Sequence, residues 1–295
     1  MNAPRSIGFI GLGVMGEPMC RNLAKKSGLP VAAFDLNPAP LARLRDHGVS
    51  KAASAAEAGK ADVVFLSLPG GPELEAVCRG AQGLIAGAVA GQTFVDLGTS
   101  PVTLTRALGA EFAMRGADYA DAPVARTREA AEQGTLSIMV GGKSETFARI
   151  RPLLLHMASD ISHCGDLGAG QVVKLVNNMV LFETVGALAE ALLLARKSGV
   201  DGKLLFETLA KGSADSFALR NHGMKSMVPG IFPERAFSVG YALKDLDYAL
   251  ALARDAGLDL EGAELAGRRL RAAIAAGHGK LYHPVISRLL DEAKP

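Results

Sequence analysis

Apolar residues in the first half of the chain come in short runs. Ser6–Ile10, Val31–Phe34, Asp62–Leu68 and Thr93–Leu97 are such runs, and shorter ones follow at Asp118–Ala120, Leu136–Gly141 and Asp160–His163. Stretches with apolar positions three and four apart lie between the first of them, at Met15–Lys26 and Pro40–His47. Unbroken apolar runs suit strands buried on both faces, and three- to four-residue spacing suits helices. The alternation predicts a doubly wound parallel sheet covered by helices on both sides. After Gly170 the pattern changes, and helical periodicity dominates to the end. Gln171–Lys197 is apolar almost all round, as in a long helix buried between other elements. Arg196, Lys197 and Gly199 mark its end, since basic residues and a following glycine suit a helix C-terminus. Further helices are predicted at Gly202–Lys211, Tyr241–Ala256, Glu261–Gly277 and His283–Ala293.

Within that pattern, Gly11-Leu12-Gly13-Val14-Met15-Gly16 follows the first strand directly and opens a helix. Alone, G-x-G-x-x-G is a weak signal in a chain with 34 glycines. Placed between a strand and a helix it is a dinucleotide-binding turn. Gly11 permits the tight bend, Gly13 lets the backbone approach a pyrophosphate, and Gly16 lets helix and strand pack closely. The helix N-terminus offers unpaired N–H groups and positive partial charge to the phosphates. Asp35 lies 19 residues after Gly16, at the end of the second run. A carboxylate there accepts from both ribose hydroxyls of NAD and repels the 2′-phosphate of NADP, and Leu36-Asn37-Pro38 supplies no arginine. The other reading of Asp35 is a surface cap on the next helix. Leu68-Pro69 and Thr99 follow the third and fourth runs, where ligands bind in parallel sheets, although both also occur as ordinary turn residues. The fold expected is therefore a Rossmann domain over residues 1–165, then an all-helical domain over 166–295, joined by the long helix.

The helix beginning at Gln171 carries Lys174, Asn177 and Asn178 among apolar neighbours. Buried polar side chains cost free energy unless paired, so their presence calls for a reason. Residues four apart differ by about 40° around a helix, so Lys174 and Asn178 share a face. A desolvated lysine has a lowered pKa and can exchange a proton with an alcohol or carbonyl oxygen, while an asparagine holds that oxygen in line. Interhelical hydrogen bonding, or a lysine snorkelling to solvent, is the structural alternative.

Composition narrows the field. The length of 295 residues and 49% apolar content suffice for two ordinary domains, and the net charge of +2 comes without basic tracts interleaved with aromatics. Nucleic acid and anionic membranes are therefore not expected as partners. Glu183 and Glu190 interrupt the most apolar stretch, which argues against a membrane span. Cys20, Cys78 and Cys164 form no C-x-x-C pair, and Ile7–Leu12 is too short and Gly-interrupted for a signal peptide. A reducing, cytoplasmic address is expected. Histidine spacing suggests no metal site.

Four separated segments carry a resemblance. They are Ile10-Gly-Leu-Gly-Val-Met-Gly-Glu-Pro-Met19, Asp121-Ala-Pro-Val124, Gly134-Thr-Leu-Ser-Ile-Met-Val-Gly-Gly142 and Gly168-Ala-Gly-Gln-Val-Val-Lys-Leu-Val-Asn-Asn178. With Gly212-Ser213, Ser216 and Lys244-Asp245-Leu246, the chain resembles the β-hydroxyacid dehydrogenase family over essentially its whole length. That family includes 3-hydroxyisobutyrate dehydrogenases and tartronate semialdehyde reductases. The resemblance implies hydride transfer between NAD and a small anionic 3-hydroxy acid or its semialdehyde, in a homodimer or homotetramer built through the helical parts. It makes Lys174 the acid/base residue, with Asn178 beside the substrate and Asn177 next to it. Met15, Asp35, Leu68, Thr99 and Lys244 match cofactor-contacting positions.

Two departures bear on substrate. Ala125-Arg126-Thr127 stands where the family usually has Ser-Gly-Gly, a variant similar to sulfolactaldehyde reductases, in which such an Arg-Thr pair meets a sulfonate. Arg126 would offer a forked, permanent charge to an oxyanion, or else serve as a loop residue paired with Glu129 or Asp121. Gly98 stands before Thr99 where relatives commonly have serine. An imine reductase, which uses a different residue at the lysine position, and a non-catalytic NAD-binding protein are the rival readings. Lys174 and its asparagine count against both.

Overall fold

The computed structural model describes residues 3–234 and 236–292. The chain forms two compact units, one ending at Lys174 and the other beginning at Leu175. In the first, the strands are β1 (Ile7–Ile10), β2 (Val31–Phe34), β3 (Val49–Lys51), β4 (Val63–Leu66), β5 (Thr93–Asp96), β6 (Asp118–Asp121), β7 (Val124–Ala125), β8 (Leu136–Gly141) and β9 (Ala158–Gly165). They order as β3-β2-β1-β4-β5-β6-β8, with β7 and β9 also paired to β8. The first six strands are parallel, β1 lying between β2 and β4 with Ile7 opposite both Val31 and Val63.

Every residue of β1, β4 and β5 is buried, because helices cover both faces. Alternation then sends successive side chains to opposite cores. Ile7, Phe9, Val63, Phe65 and Val95 join Leu23 and Leu154 in one. Ile10, Val64, Leu66 and Phe94 join Leu74 and Phe112 in the other, where Phe94 stacks on Phe112 at 4.2 Å.

The sheet is not parallel throughout. β8 runs antiparallel to β6 and β7, with Asp121 opposite Gly141 and Val124 opposite Ile138. The reason lies in the connection. Only the short helix Arg128–Gln133 joins β7 to β8, and Gly134, at φ 72°, ends it and reverses the chain. That link is too short for a parallel crossover. The three-residue β3 was also not foreseen, being too short to show a period.

The long helix spans Ala169–Lys197, and from Leu175 onward it belongs to the second unit. Its residues Phe182, Val185, Leu188, Ala189 and Leu192 recur at helical spacing and enter the core with Phe206, Leu246, Leu250 and Leu270. The helix is long and apolar enough to cross a membrane by composition, yet it is the core helix of this unit. Helices follow at Gly202–Leu209, Val239–Asp255 and Glu261–Ala275, close to the predicted spans. Asp201 starts the first by accepting from the Lys203 and Leu204 N–H groups, and Ser238 starts the second by accepting from Tyr241. A π-helical segment at Leu219–Met227 was not anticipated. The last predicted helix begins as a 3₁₀ turn at His283–Val285 and continues as Ile286–Glu292, while Ala293 lies outside the described residues.

Candidate active site

The glycine-rich turn has the geometry a dinucleotide requires, and its three glycines serve different ends. Gly11 takes φ 93°, and a Cβ there would meet the Ser67 carbonyl oxygen at 2.3 Å. A Cβ on Gly16 would meet the Gly11 carbonyl oxygen at 2.1 Å. Around Gly13 nothing lies within 4 Å, so its backbone is open to an incoming phosphate. Helix Gly16–Lys26 begins after Met15 with no side chain capping it, which leaves its N-terminal field for an anion. Gly13 and Val14 are exposed and Met15 is half-buried. Asp35 stands beside the turn. Its carboxylate accepts from the Leu12 N–H and, at 2.7 Å, from the Asn37 N–H. The helix cap foreseen as one reading of Asp35 is provided by Asn37 instead, whose side chain accepts from Ala39. A carboxylate has about four lone-pair directions, so Asp35 can still accept from ribose.

Leu68 and Pro69 follow β4, and Thr99 follows β5, both at the carboxyl edge of the parallel strands. The Gly98–Ser100 turn that presents Thr99 is tightly held. Asp96, fully buried, accepts from the Gly98 N–H at 2.9 Å and the Ser100 hydroxyl at 2.8 Å. Gln171, in the first turn of the long helix, donates to the Gly98 carbonyl at 2.9 Å and accepts from the Ser100 N–H at 3.1 Å. Asp121, fully buried at the end of β6, accepts from the Gly168 and Gln171 N–H groups, each at 2.7 Å. Burial raises the Asp121 pKa above the usual carboxylate range, against the pull of these N–H groups. Close approach requires Gly141 and Gly170. A Cβ on Gly141 would lie within 2.4 Å of an Asp121 carboxylate oxygen, and one on Gly170 would lie 2.3 Å from the Met139 carbonyl oxygen. Two buried carboxylates thus fix the start of the helix, and Lys174, only 8% exposed, comes one turn later.

The loop after β7 corrects the partner expected within the loop. Arg126 has its guanidinium engaged by partners within the protein. It donates to the Thr135 carbonyl at 2.6 Å and the Ser159 hydroxyl at 2.8 Å, and pairs with Asp160. Its φ of 84° turns the side chain across the start of β8 toward β9, and Asp160, not Glu129 or Asp121, is the carboxylate it meets. Thr127 caps helix Arg128–Gln133 by accepting from the Ala130 N–H, which leaves its hydroxyl proton to donate elsewhere. Ala125 and Val124 are half-buried, and Val124 packs in the same core as Met15.

In the second unit, Asn178 is 1% exposed and Asn177 is exposed. The Asn177 amide donates to the Asn178 oxygen at 3.1 Å, and the Asn178 amide donates to Asp245 at 2.8 Å. Asp245 also pairs with Lys244 at 3.0 Å, and the Lys244 ammonium lies over the Tyr241 and Tyr248 rings, 5.6 and 5.2 Å from their centroids. Asp245 therefore sets the orientation of Asn178 and anchors Lys244. Sequence reasoning quoted Asp245 in a motif but gave it no role. It offered Asp121 only as a possible partner of Arg126, and it passed over Asp96 altogether. An acidic residue at the end of an apolar strand run was the available signal for Asp96 and Asp121.

A second polar cluster lies among aromatics in the helical unit. His222, on the π-helical segment, bonds through Nδ1 to the Tyr282 hydroxyl, and its ring lies 5.1 Å from that of His283. His283 meets Phe182 and Phe237 edge-on and is 1% exposed. Burial lowers the His222 pKa to about 4, and burial with the neighbouring imidazole puts His283 well below the usual value. Both rings are thus neutral in the folded protein. An unfolded chain takes up protons near pH 6.5, so stability is full above that value and falls as pH drops toward 4. His222 alone removes about 3 kcal/mol over that window, at roughly 1.4 kcal/mol per unit. Thermal unfolding followed by circular dichroism at pH 7, 6, 5 and 4 should show this loss, and His222→Gln should flatten it. An unchanged pH slope in the variant would refute the assignment.

A glycine-rich strand–helix turn, an acidic residue just after β2 and the carboxyl edge of a parallel sheet are the features of a dinucleotide-binding domain. Residues 6–165 match the family model described as the NAD binding domain of 6-phosphogluconate dehydrogenase. Residues 168–290 match that described as NAD-binding of NADP-dependent 3-hydroxyisobutyrate dehydrogenase. The chain is 37% identical to a 2-(hydroxymethyl)glutarate dehydrogenase of Eubacterium barkeri, covering 93% of this chain and 91% of that one. It is 39% identical to a 3-hydroxyisobutyrate dehydrogenase of Pseudomonas aeruginosa, over 84% of each. The solved structure of Mycobacterium tuberculosis 3-hydroxyisobutyrate dehydrogenase with L-serine superposes with a TM-score of 0.87 at 34% identity, covering 97% of this chain and 99% of that one. The chain belongs to the β-hydroxyacid dehydrogenase family of NAD-binding enzymes acting on CH–OH groups.

Proposed function

We propose that the protein interconverts a small anionic 3-hydroxy acid and its semialdehyde, with Lys174 as acid and base. The observation that carries this reading is Lys174 itself, an amine 8% exposed on a helix whose first turn is fixed by Asp96 and Asp121. The dinucleotide supplies or accepts the hydride when bound. Lys174 gives its proton to the carbonyl oxygen on reduction and takes it back on oxidation. Asn178, oriented by Asp245 one helical turn further on, holds the reacting group. Backbone N–H groups of the Ala125–Thr127 loop and the Thr127 hydroxyl hold the anionic end. The Arg126 partners favour a carboxylate there over a sulfonate, since the extra donor a tetrahedral oxyanion would need is already engaged. A homo-oligomer is part of the proposal, supported by Val173, Val176, Val180 and Leu194, exposed along the long helix. So is a reducing compartment, consistent with three free cysteines.

Assay of 3-hydroxy acids and semialdehydes, as carboxylates and as sulfonates, with NAD and NADP, tests the reading. Turnover of none of them would refute it. The position of Asp35 predicts preference for NAD(H). Asp35→Ser should narrow the ratio of kcat/KM between NAD and NADP by about ten-fold or more, since a repelled 2′-phosphate is then admitted. A native enzyme that favours NADP would overturn the prediction.

A further inference from the structure

Arg126 is the one non-glycine residue with positive φ among those described, at 84°. An L-residue persists in this left-handed region only when its surroundings over-determine it. The over-determination here is visible. The planar guanidinium meets three acceptors beyond its own strand, namely the carbonyl of Thr135 just before β8, and Ser159 and Asp160 in β9. Ser159 also donates to Asp160 at 2.9 Å, so the two β9 side chains act as one receptor. The Ser159 hydroxyl and then Arg126 hold the Asp160 carboxyl below its usual range. The pair joins the end of β7 to β9 across the start of β8, at the point where the chain leaves β7.

We infer that Asp160 is a positioning residue for the substrate loop: its grip on Arg126 holds the backbone left-handed there and so aims the N–H groups of Arg126 and Thr127. This inference rests on the reading of that loop as the anion-holding element. Asp160 acts through Arg126 and does not touch the substrate. The ion pair is partly exposed, 40% at Arg126 and 59% at Asp160, so as a bare charge pair it would matter little. Its consequence is conformational. Released from Asp160, Arg126 relaxes toward negative φ, and the N–H groups that follow turn with it.

The test is a double-mutant cycle of Asp160→Ala and Arg126→Gly, since glycine takes positive φ without support. KM for the best substrate, kcat, NADH affinity and thermal stability are measured for all four proteins. Asp160→Ala alone should raise KM about ten-fold with kcat within about two-fold and NADH affinity unchanged. In the Arg126→Gly background the same substitution should leave KM where it was. A KM rise of equal size in both backgrounds overturns the inference, because Asp160 then acts by another route while the loop reading stands. Thermal coupling between the two sites with KM unmoved throughout overturns it from the other side: the clamp exists, and the loop does not hold the substrate. No KM effect and no coupling would mean that Asp160 holds nothing.

Discussion

Lys174→Ala should lose about 10²- to 10⁴-fold in kcat while still binding NADH, the loss typical of removing a general acid–base group. The lysine lies on the long helix, and the glycine-rich turn lies after β1, so its removal leaves the dinucleotide's binding elements intact. Lys174→Arg should be nearly as poor, because a guanidinium does not release its proton near neutral pH. Single-turnover kinetics with preloaded NADH separates the chemical step from binding. Near-normal turnover in either variant would make Lys174 structural, and the acid would have to be sought elsewhere.

Asp121→Asn should be the most damaging conservative change in the Rossmann unit. The carboxylate accepts two short hydrogen bonds from the first turn of the long helix, and the amide can accept only through its oxygen. One N–H is then left facing an NH₂ group in a buried site. Charge-assisted bonds contribute roughly 1.5–3 kcal/mol each, and an unmatched buried donor adds to the loss. A destabilisation of about 3 kcal/mol is expected, which corresponds to a fall in Tm of about 6–12 °C for a unit of this size. Thermal unfolding checks this directly. A Tm within about 2 °C of the native protein would show that the helix start is held by other means.

The parts of the site legible in the sequence are those whose chemistry is local. The glycine-rich turn could be read because strand, turn and helix are contiguous. Asp35 could be read because its distance along the chain is set by one helix and one strand. Lys174 and Asn178 stood out because a polar side chain in an apolar helix is conspicuous, and helical spacing relates them. What escaped depends on partners remote in sequence. Asp96 and Asp121 meet Gln171 across 75 and 50 residues, and Asn178 meets Asp245 across 67. No period within a strand reports which helix will reach its end. The partner of Arg126 escaped for a different reason. The arginine's charge was plain, but its direction follows from a backbone angle that only the turn into β8 imposes, and its partner lies 34 residues away. The antiparallel course of β8 escaped as well, since an apolar run carries no sign of its direction.

The three glycines of the cofactor turn also carry an evolutionary consequence. Gly11 and Gly16 are fixed by their own neighbours, where an added carbon would strike the Ser67 or Gly11 carbonyl, whereas Gly13 faces open space. Selection for a stable fold therefore acts on the outer two, and selection for the cofactor acts on the middle one. In a lineage that kept this architecture but gave up redox chemistry, Gly13 would drift first and its flanking glycines would stay. Homologues with that signature would mark where descent has parted from catalysis.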